Sequence, residues 1–530
     1  TASTESITGR VLHMRNLAFA ELGDTTMADG IVQGESPAFT VDSNEIIDEG
    51  EFGRFRRVIG TVTVPNFLNL PQDLLATSGS EAGDPPAPPG TRLYYASAGD
   101  ELPAINPQFP TTVFQYTCDV PLDQGPSYPA TYGHGLVGSQ GQIQDAQWPR
   151  RFGFMPCGAD WWGMSTKDLG NIALILQDIS NFPTLADRVQ QGLINFLFLA
   201  RAATHPDGFA SHPCFQANAD CATASDSLIR TATATQTPVF FDGNSQGGIM
   251  GGAMIAISPD IDRGILGVPA INYSTLLNRS VDWEGAFGVP NYLFYTDPIE
   301  RQLVFGLIQM LWDRAEANGF AHRLTDNPLP DTPPHEVMLQ VAFSDHQVSN
   351  HAAEVYARTI GAPVMLPGLP AGRHWEAQPY STGTARYPYQ GSALIYWDSG
   401  NAPPPNGNVP AEQGGDPHSH ARDEPAGGWQ EAHFLLTGEM ADACQGRDYL
   451  TAAHPDAGGD FYCQVPARPV GSYRPVGGTL PDGPPAGDDG VVVLSRSGGA
   501  PGAWFWLLAL VAYAGRLAGR PSASEGYRGA

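Results

Sequence analysis

Basic residues are scarce in this sequence, and lysine is nearly missing, since Lys167 is the only one. The chain of 530 residues has 28 lysines and arginines against 55 aspartates and glutamates, a formal net charge of −27. Such a surface would repel the phosphates of nucleic acid, so we expect no nucleic-acid partner. Charged residues make up only 16% and hydrophobic residues 42%, which excludes disorder for most of the length.

Cysteine is also scarce, and none of the six cysteines forms a Cys-x-x-Cys pair, which disfavours a zinc ribbon or a thioredoxin-like site. Two pairs are close in sequence and lie in loop-like segments rich in Gly, Asp, Ala and Asn, a pattern typical of short disulfide loops. The alternative is six buried thiols. Disulfides favour an oxidising compartment. The expected pairs are Cys214–Cys221, Cys444–Cys463 and, by elimination, Cys118–Cys157.

Long apolar runs are missing too. The stretch Ala503–Gly515 is too short for a comfortable transmembrane helix, which needs about 20 residues. It follows a Gly/Pro-rich linker, residues 471–502, that contains Gly498-Gly499, and arginines come after it. This arrangement resembles the GlyGly-type C-terminal sorting tails of Gram-negative secreted proteins, which an intramembrane protease cuts. The alternative for residues 503–530 is a weak membrane anchor.

Both readings of the tail place the protein outside the cytoplasm, secreted or at the surface or in the periplasm of a Gram-negative bacterium. A sorting protease acting on the tail is then an expected partner. The chain begins at Thr1 without methionine, which is consistent with a processed N-terminus. The oligomeric state does not follow from the sequence.

Short apolar runs alternate with helical patterns from about residue 110 to residue 440, within an expected catalytic domain of residues 1–470. The alternation predicts an α/β fold with a mostly parallel central sheet flanked by helices. Ser165 and Asp168 form a capping box that predicts a helix through Leu176, and Leu185–Ala202 is predicted to be a second helix. The predicted strands are Arg57–Val64 (antiparallel), Thr112–Tyr116, Ala130–Tyr132, Gly153–Met155, Val239–Phe241, Gly264–Val268, Val337–Phe343 and Ala393–Trp397.

A long insertion, about residues 271–335, separates two of these strands and exceeds a normal connection. It contains an apolar helix with Asp297 as N-cap and Pro298 at its first position. We expect this helical insertion to form a cap that walls the site with apolar surface. The alternative is a helix buried in the main core.

A Gly-x-Ser-x-Gly motif, Gly243–Gly247, lies between the predicted strand Val239–Phe241 and a helix-like stretch of small residues. A sharp strand-to-helix turn would expose the Ser245 hydroxyl in a strained conformation, with glycines where side chains would collide. The helix N-terminus would favour negative charge beside it. The motif alone is weak in a chain with 61 glycines, but its setting predicts Ser245 as a nucleophile.

A general base and an acid should follow later strands, in the order serine, acid, histidine. Asp345 follows the strand Val337–Phe343 and would orient the histidine, although an Asp there could also cap the next helix. His418 lies in a loop after the last strand and is the predicted base. The other candidates are His420, two residues on; His433, expected on a helix surface; and His374, which precedes the last strand.

An oxyanion hole needs two backbone N–H groups near the serine. The first is expected from Gln246, directly after the nucleophile. The second should come from the loop after Ala130–Tyr132, where Gly133-His134-Gly135 lets the backbone turn, and Leu136 is the candidate.

Several segments resemble a group of secreted bacterial α/β-hydrolases over about residues 50–445. The more specific ones are Ser344–Val348 (SDHQV) and Asp416–His418 (DPH). The resemblance implies the α/β-hydrolase fold and the same triad of Ser245, Asp345 and His418. It also implies that Asp160–Gly163 (DWWG) lies near the mouth of the pocket. His420 departs from the pattern and leaves the base ambiguous.

The expected function is hydrolysis of a carboxylic ester through an acyl-enzyme, with a small-molecule or polymeric substrate that is hydrophobic, lipid-like or polyester-like. We expect no metal and no organic cofactor. One alternative is a serine peptidase or amidase on the same fold. Another is a catalytically inactive surface binding protein.

Overall fold

The computed structural model describes residues 2–27, 31–50, 53–70, 90–218, 220–366, 369, 383–398, 401–423 and 425–443. The predictions for His374, Cys444, Cys463, the linker and the tail at 503–530 lie outside these ranges. Within them, no helix combines the length and the apolar character that crossing a membrane requires.

The strands build one large sheet and a small two-stranded one. The order across the large sheet is β1-β2-β3-β5-β4-β6-β7-β8-β12-β9-β10, and β11 pairs with β13. Pairing is antiparallel from β1 to β5 and parallel from β5 onward. The strands are β1 Ser43–Asp48, β2 Arg54–Pro65, β3 Thr111–Pro121, β4 Tyr128–Gly133, β5 Phe154–Ala159, β6 Val239–Asn244, β7 Ile261–Gly267, β8 Glu336–Ala342, β9 Val364–Leu366, β10 Thr384–Arg386, β11 Tyr389–Gln390, β12 Ala393–Trp397 and β13 Glu439–Met440.

Helices cover both faces of the sheet. One side carries α4, α5 and α9, and the other carries α11. The helices are α1 Ala2–Glu21, α2 Gln147–Arg151, α3 Leu169–Gln177, α4 Pro183–Thr204, α5 Gln246–Ile257, α6 Tyr273–Leu276, α7 Gly288–Phe294, α8 Pro298–Trp312, α9 Asn350–Thr359, α10 His420–Asp423 and α11 Pro425–Thr437.

Burial on both faces explains why the central strands read as continuous apolar runs. In β6, Val239 and Phe241 belong to the core beneath α4 and α5, whereas Phe240 belongs to the core beneath α11. In the sheet, β5 lies between β3 and β4, so these strands do not follow their order in the sequence. This exchange, the parallel strands that follow it and the strand–turn–helix at Ser245 make up the topology of the α/β-hydrolase fold. That prediction is confirmed.

Helix α4 is buried along nearly its whole length, from Thr184 to Thr204. Its charged residues are paired: Arg188 with Asp168 at 2.7 Å, and Arg201 with Asp24 and Asp260 at 2.9 and 2.8 Å. Burial of unpaired charges would be very costly, so these contacts are what allow the helix to lie inside the molecule.

The sequence analysis did not identify α1, whose Val11, Met14, Ala18 and Phe19 are fully buried. This helix packs against α4 and α5. It therefore covers α4, which would otherwise face solvent.

Two of the expected disulfides are present. Cys118 on β3 and Cys157 on β5 are directly opposite in the antiparallel register and are bonded. Cys214 and Cys221 are bonded within the loop after α4. The third pair lies beyond the described residues.

The insertion between β7 and β8 contains α6, α7 and α8. Helix α8 begins as predicted, with the Asp297 carboxylate accepting hydrogen bonds from the N–H groups of Ile299 and Glu300. Its residues Phe305, Ile308 and Trp312 are buried, so one face of the helix packs inward.

Helix α5 approaches the sheet at backbone contact distance. A Cβ added at Gly247 would lie 2.0 Å from the carbonyl oxygen of Gly133 on β4, and one at Gly248 would lie 2.4 Å from that of Gly267 on β7. Both contacts are with backbone, so neither neighbour can turn aside. Glycine is therefore required at both positions if the turn before α5 is to keep its place.

We predict that Gly247→Ala lowers the free energy of unfolding by about 1–3 kcal/mol or more, because helix α5 must move away from β4. Urea unfolding followed by circular dichroism measures this loss. The matched control is Gly170→Ala in α3, where an added Cβ meets nothing within 4 Å. That variant should unfold at the same or a higher urea concentration, since alanine favours a helix over glycine. Equal stability of both variants would contradict the close approach.

Candidate active site

Ser245 occupies the turn between β6 and α5, with φ 61° and ψ −123°. A positive φ at a residue other than glycine costs about 1–3 kcal/mol and persists only where surrounding structure enforces it. Here the Ser245 N–H donates to the carbonyl of Gly267 at 2.9 Å. Its hydroxyl makes no hydrogen bond to any described residue and faces a cavity.

The other two predicted residues lie at the same edge of the sheet. Strands β6, β7, β8 and β12 are neighbours and run parallel. Ser245 follows β6, Asp345 follows β8, and His418 comes after β12. Because the carboxyl ends of adjacent parallel strands meet at one edge, the topology brings these three residues to one end of the molecule.

Asp345 and His418 are in direct contact. The Nδ1–H of His418 donates to the Asp345 carboxylate, at 2.8 Å from Oδ2 and 3.0 Å from Oδ1. Oδ1 also accepts the backbone N–H groups of Gln347 and Val348 at 2.8 and 3.0 Å. Asp345 and His418 are each only 3% exposed. The carboxylate is thus fixed on one side by backbone donors and on the other by the imidazole.

Asp416, to which the sequence analysis gave no role beyond its place in the segment Asp416–His418, fixes the loop that carries His418. Its Oδ1 accepts the backbone N–H groups of His418 at 3.1 Å and His346 at 3.4 Å. Its Oδ2 accepts the side-chain amide of Gln347 at 2.8 Å. An aspartate whose side chain accepts the N–H two residues later is a common turn-forming pattern. The spacing of Asp416 and His418 in the sequence could therefore have indicated this role.

Burial alone would lower the pKa of His418. The charge and hydrogen bond of Asp345 act in the opposite direction, and together with Asp416 they raise the pKa above its usual 6.5. The imidazolium form is therefore stabilised where Asp345 is ionised. The Nδ1 contact leaves the Nε2 atom facing away from Asp345.

The remaining histidine candidates are placed elsewhere. His420 begins α10, and its ring lies 6.5 Å from that of Trp397. His433 lies on helix α11 as predicted, but its expected surface position is wrong. It is 7% exposed and its ring stacks on Trp429 at 5.0 Å, because α11 packs this face toward the molecule.

The loop after β4 runs alongside Ser245. A Cβ added at Gly135 would lie 3.7 Å from the Cβ of Ser245. The N–H of Gly135 donates to the side chain of Gln142 at 2.7 Å, and that of Val137 donates to the side chain of Gln246 at 3.3 Å. Between them, the N–H of Leu136 has no acceptor among the described residues.

The backbone N–H of Gln246 is at the first position of α5, where a helix leaves its amides without intrahelical partners. Leu136, Ser245 and Gln246 all line one cavity. The Gln246 side chain also donates to the carbonyl of Met164 at 2.9 Å, so it joins the loop after β4 to the segment after β5.

His134 holds the loop after β4 in place through two hydrogen bonds. Its Nε2 accepts the backbone N–H of Trp161 at 2.8 Å, and its Nδ1–H donates to the carbonyl of Gly135, also at 2.8 Å. Burial lowers the pKa of His134 to about 4, so the ring is neutral over the physiological range. A neutral ring is required for one nitrogen to accept while the other donates.

Asp160–Gly163 lies beneath this loop rather than at the mouth of the pocket. Trp161 and Trp162 are fully buried, and Trp161 stacks on Phe196 at 3.7 Å. The hydrogen bond from Trp161 to His134 holds the segment in this position. The nearby residue that reaches the cavity is Met164.

The cavity in front of Ser245 has a volume of about 110 Å³ and a mostly apolar wall. One side comes from the region of α3 and the start of α4, and the other from the insertion between β7 and β8. The insertion contributes Tyr273, Leu276, Trp283, Phe287, Asn291, Phe305, Ile308 and Trp312.

One carboxylate, that of Asp282, lies on this apolar wall. Burial raises its pKa to about 6. The nearby imidazole of His418 opposes this shift, whereas Asp416 and Asp345 add to it. Sequence reasoning gave no reason to select Asp282, since it lies inside the insertion.

No protein-family model and no curated protein matches this sequence. Solved structures of similar fold include acetyl xylan esterase 1 from Thermoanaerobacterium sp., with 12% identity, a TM-score of 0.35, and coverage of 76% of this chain and 90% of that one. A glucuronoyl esterase from Teredinibacter turnerae has 11% identity, a TM-score of 0.30, and coverage of 65% and 71%.

An acylaminoacyl peptidase from Pyrococcus horikoshii has 10% identity and a TM-score of 0.29, with coverage of 58% of this chain and 36% of that one. At these values the likenesses say nothing about activity. The assignment of the fold therefore rests on the strand order and on the turn at Ser245.

We predict that the imidazole of His418 titrates above pH 6.5 and that Asp345→Asn moves its pKa below 6.5, because the effect of burial, which is the largest, is then opposed only by the charge of Asp416. Nitrogen NMR of histidine-labelled protein measures both values, with the signal assigned by its loss in His418→Gln. His134 is the internal control, since its low pKa should not change. If the pKa of His418 is the same in Asp345→Asn as in the wild type, the result would contradict the pairing of His418 with Asp345.

Proposed function

We propose that the protein is a serine hydrolase that cleaves carboxylic esters through an acyl-enzyme. The observation that carries this proposal is the hydrogen bond of His418 to Asp345 at the sheet edge where Ser245 occupies its strained turn. A serine hydroxyl is a weak nucleophile, so it needs a base that is itself oriented by a third group. The buried Asp345–His418 pair is such a base.

In the proposed reaction, the Ser245 Oγ attacks the ester carbonyl carbon while the Nε2 of His418 accepts its proton. The N–H groups of Leu136 and Gln246 donate to the oxyanion that forms. His418 then protonates the leaving alkoxide, and an alcohol departs. A water molecule, deprotonated by His418, releases the acid and restores Ser245. The Ser245 hydroxyl has no hydrogen-bond partner among the described residues, and catalytic contacts of this kind commonly tighten only in the complex with substrate.

The apolar cavity supports a hydrophobic substrate. Its wall buries aliphatic and aromatic side chains of the insertion, which acts as a cap over Ser245 in this proposal. Removing apolar substrate surface from water is favourable by about 25 cal/mol per Å², so such a wall favours lipid-like or polyester-like groups over polar ones.

The outer face of α8 supports the same substrate class. Ile299, Leu303, Leu307 and Met310 follow one another along this face and are 65–72% exposed. The opposite face of the same helix lines the cavity through Phe305, Ile308 and Trp312. A stripe of exposed apolar side chains on the outer face of a helix whose inner face lines the cavity suits an ester presented on an apolar surface, such as an oil droplet or a solid polyester.

The alternatives differ in what they predict for the same site. A serine peptidase or amidase would cleave an amide faster than the matched ester. An inactive binding protein would leave Ser245 unreactive. The paired Asp345 and His418 favour a working hydrolase over the binding protein, because a scaffold without catalysis does not require a buried histidine hydrogen-bonded to a carboxylate at this edge. The two disulfides support a location in an oxidising compartment.

A fluorophosphonate probe should label the wild-type protein covalently, and Ser245→Ala should abolish labelling while leaving the fold intact. Gel fluorescence measures labelling, and circular dichroism checks the fold. The physical reason is that the probe reports a serine oxygen activated by a base. Persistent labelling of folded Ser245→Ala would place the nucleophile elsewhere.

The choice of base is tested by a matched pair, His418→Ala and His420→Ala. Only the first removes the partner of Asp345, so we expect it to lower kcat for a p-nitrophenyl ester by about 10⁴-fold or more. His420→Ala should retain at least about a tenth of the activity, since His420 does not contact Asp345. The reverse result would assign the base to His420.

The exposed stripe of α8 predicts that Leu303→Ser together with Leu307→Ser lowers hydrolysis of a polyester suspension by about tenfold. Hydrolysis of a dissolved short-chain ester should change less than about twofold, because neither side chain lines the cavity. The release of acid from each substrate is measured by titration at constant pH. A parallel fall on both substrates would indicate damage to the site and contradict a surface role.

A further inference from the structure

The two walls of the cavity in front of Ser245 touch each other at an aromatic cluster. Phe182, directly before α4, meets Trp312 at the end of α8 edge-on, with ring centroids 5.1 Å apart. Tyr273, at the start of α6, stacks on Trp312 at 4.3 Å. All three rings line the cavity and are only 3–5% exposed. The cavity is therefore closed to solvent where the wall before α4 meets the insertion.

A hydrogen bond joins the same two walls. The backbone N–H of Ile179, which also lines the cavity, donates to the hydroxyl of Tyr295 at 2.8 Å. Because Tyr295 lies between α7 and α8, this bond ties the insertion to the segment between α3 and α4. A bound chain could pass between the walls here only by breaking these contacts.

Buried hydrogen bonds also fix the backbone that carries Tyr273 and Trp312. Glu316 is fully buried, and its Oε1 accepts the N–H of Tyr273 at 3.4 Å and the side-chain amide of Gln309 at 2.8 Å. The side-chain oxygen of Gln309 in turn accepts the N–H of Ser274 at 2.9 Å. These bonds join the start of α6 to the last turn of α8. A paired polar network of this kind makes the boundary of the cavity a rigid part of the fold.

The volume of the cavity limits what it can hold. An apolar cavity of about 150 Å³ in a protein core binds benzene, which is a ring of six carbons. By this measure, the cavity of about 110 Å³ in front of Ser245 has room for roughly four carbons. Because its wall is mostly apolar, it suits a hydrocarbon group and would leave a sugar or a charged group without partners.

We propose that this cavity receives one substituent of the scissile ester and admits it only up to about four carbons, because the aromatic cluster of Phe182, Tyr273 and Trp312 blocks longer chains. The inference rests on the proposed ester hydrolysis and names the substrate class of that site, which is short-chain esters. A long-chain lipid exceeds this limit, whereas the terminal unit of a polyester built from short units does not. The three rings are then the residues that determine specificity for chain length.

Two series of dissolved esters test the limit, because the chain can lie on either side of the ester bond. The first varies the acyl group of p-nitrophenyl esters from acetate to octanoate, and the second varies the alcohol of acetate esters from ethyl to octyl. In at least one series, kcat/KM of the wild-type protein should rise by about fourfold per methylene up to about four carbons. It should then fall by about tenfold or more at the longest member, since a chain that overfills a packed cavity is strained. The absence of a fall in both series would overturn the proposal.

Variants of the aromatic cluster should remove the limit. Phe182→Val and Trp312→Leu each shorten a side chain where the walls touch, so the ratio of kcat/KM for the octanoate or octyl ester to that for the butanoate or butyl ester should rise about tenfold. The matched control is Phe198→Val in α4, since Phe198 is 2% exposed and does not line the cavity. That variant loses the same atoms from the core and should keep the ratio within about twofold. An unchanged ratio in both cluster variants, or an equal rise in Phe198→Val, would contradict the assignment.

Two further measurements keep the outcomes distinct. Circular dichroism shows whether each variant is folded, and the wild-type profile tests the limit even where a variant is not. Ser245-dependent fluorophosphonate labelling reports on the proposed hydrolase itself. If labelling and cleavage of short esters succeed without any limit on chain length, only the present inference is wrong. If labelling and cleavage both fail, the proposed function is wrong.

Discussion

The contact of helix α5 with the backbone of β4 and β7 is the constraint on which the rest of the site depends. Gly247 and Gly248 leave room only for hydrogen atoms against the carbonyls of Gly133 and Gly267. This approach forces Ser245 into a positive φ and turns its hydroxyl out over the sheet edge. The same approach brings Gln246 beside the loop after β4. Ser245, the proposed nucleophile, and both candidate oxyanion donors are therefore positioned by the same close approach.

His418 and Asp345, the proposed base and acid, are positioned by a different means, which is a set of hydrogen bonds between loops. Asp345 is held by the N–H groups that follow it, and Asp416 holds both the loop of His418 and the side chain of Gln347. Burial then changes the chemistry of each group. It makes His134 a neutral support with a low pKa, whereas at His418 the neighbouring carboxylates outweigh burial and keep the pKa high.

Much of this architecture could be predicted from the sequence because it depends on local pattern. The apolar runs that became β4, β6, β7, β8 and β12 are buried on both faces, and the glycines around Ser245 mark the turn by their spacing. Ser245, Asp345 and His418 each follow a predicted strand, in the order that the fold expects for serine, acid and histidine. These predictions needed no knowledge of distant contacts.

What escaped prediction depends on contacts between distant segments. Helix α1 was not identified, although it covers the buried α4, and His433 was expected on a surface that α11 turns inward. The position of Asp282 on the cavity wall depends on the insertion packing beside Ser245. A polar residue in an apolar segment has no distinctive sequence signal, because the same residue on a surface would look identical.

The central claim is that Ser245, His418 and the N–H groups of Leu136 and Gln246 act on one carbonyl. A crystal structure of the protein after reaction with an alkyl phosphonate, which resembles the tetrahedral intermediate, tests it most directly. The account predicts phosphorus bonded to the Ser245 Oγ, with one phosphonyl oxygen within about 3 Å of both N–H groups. A phosphonyl oxygen directed away from the loop after β4, or phosphorus on another residue, would contradict it.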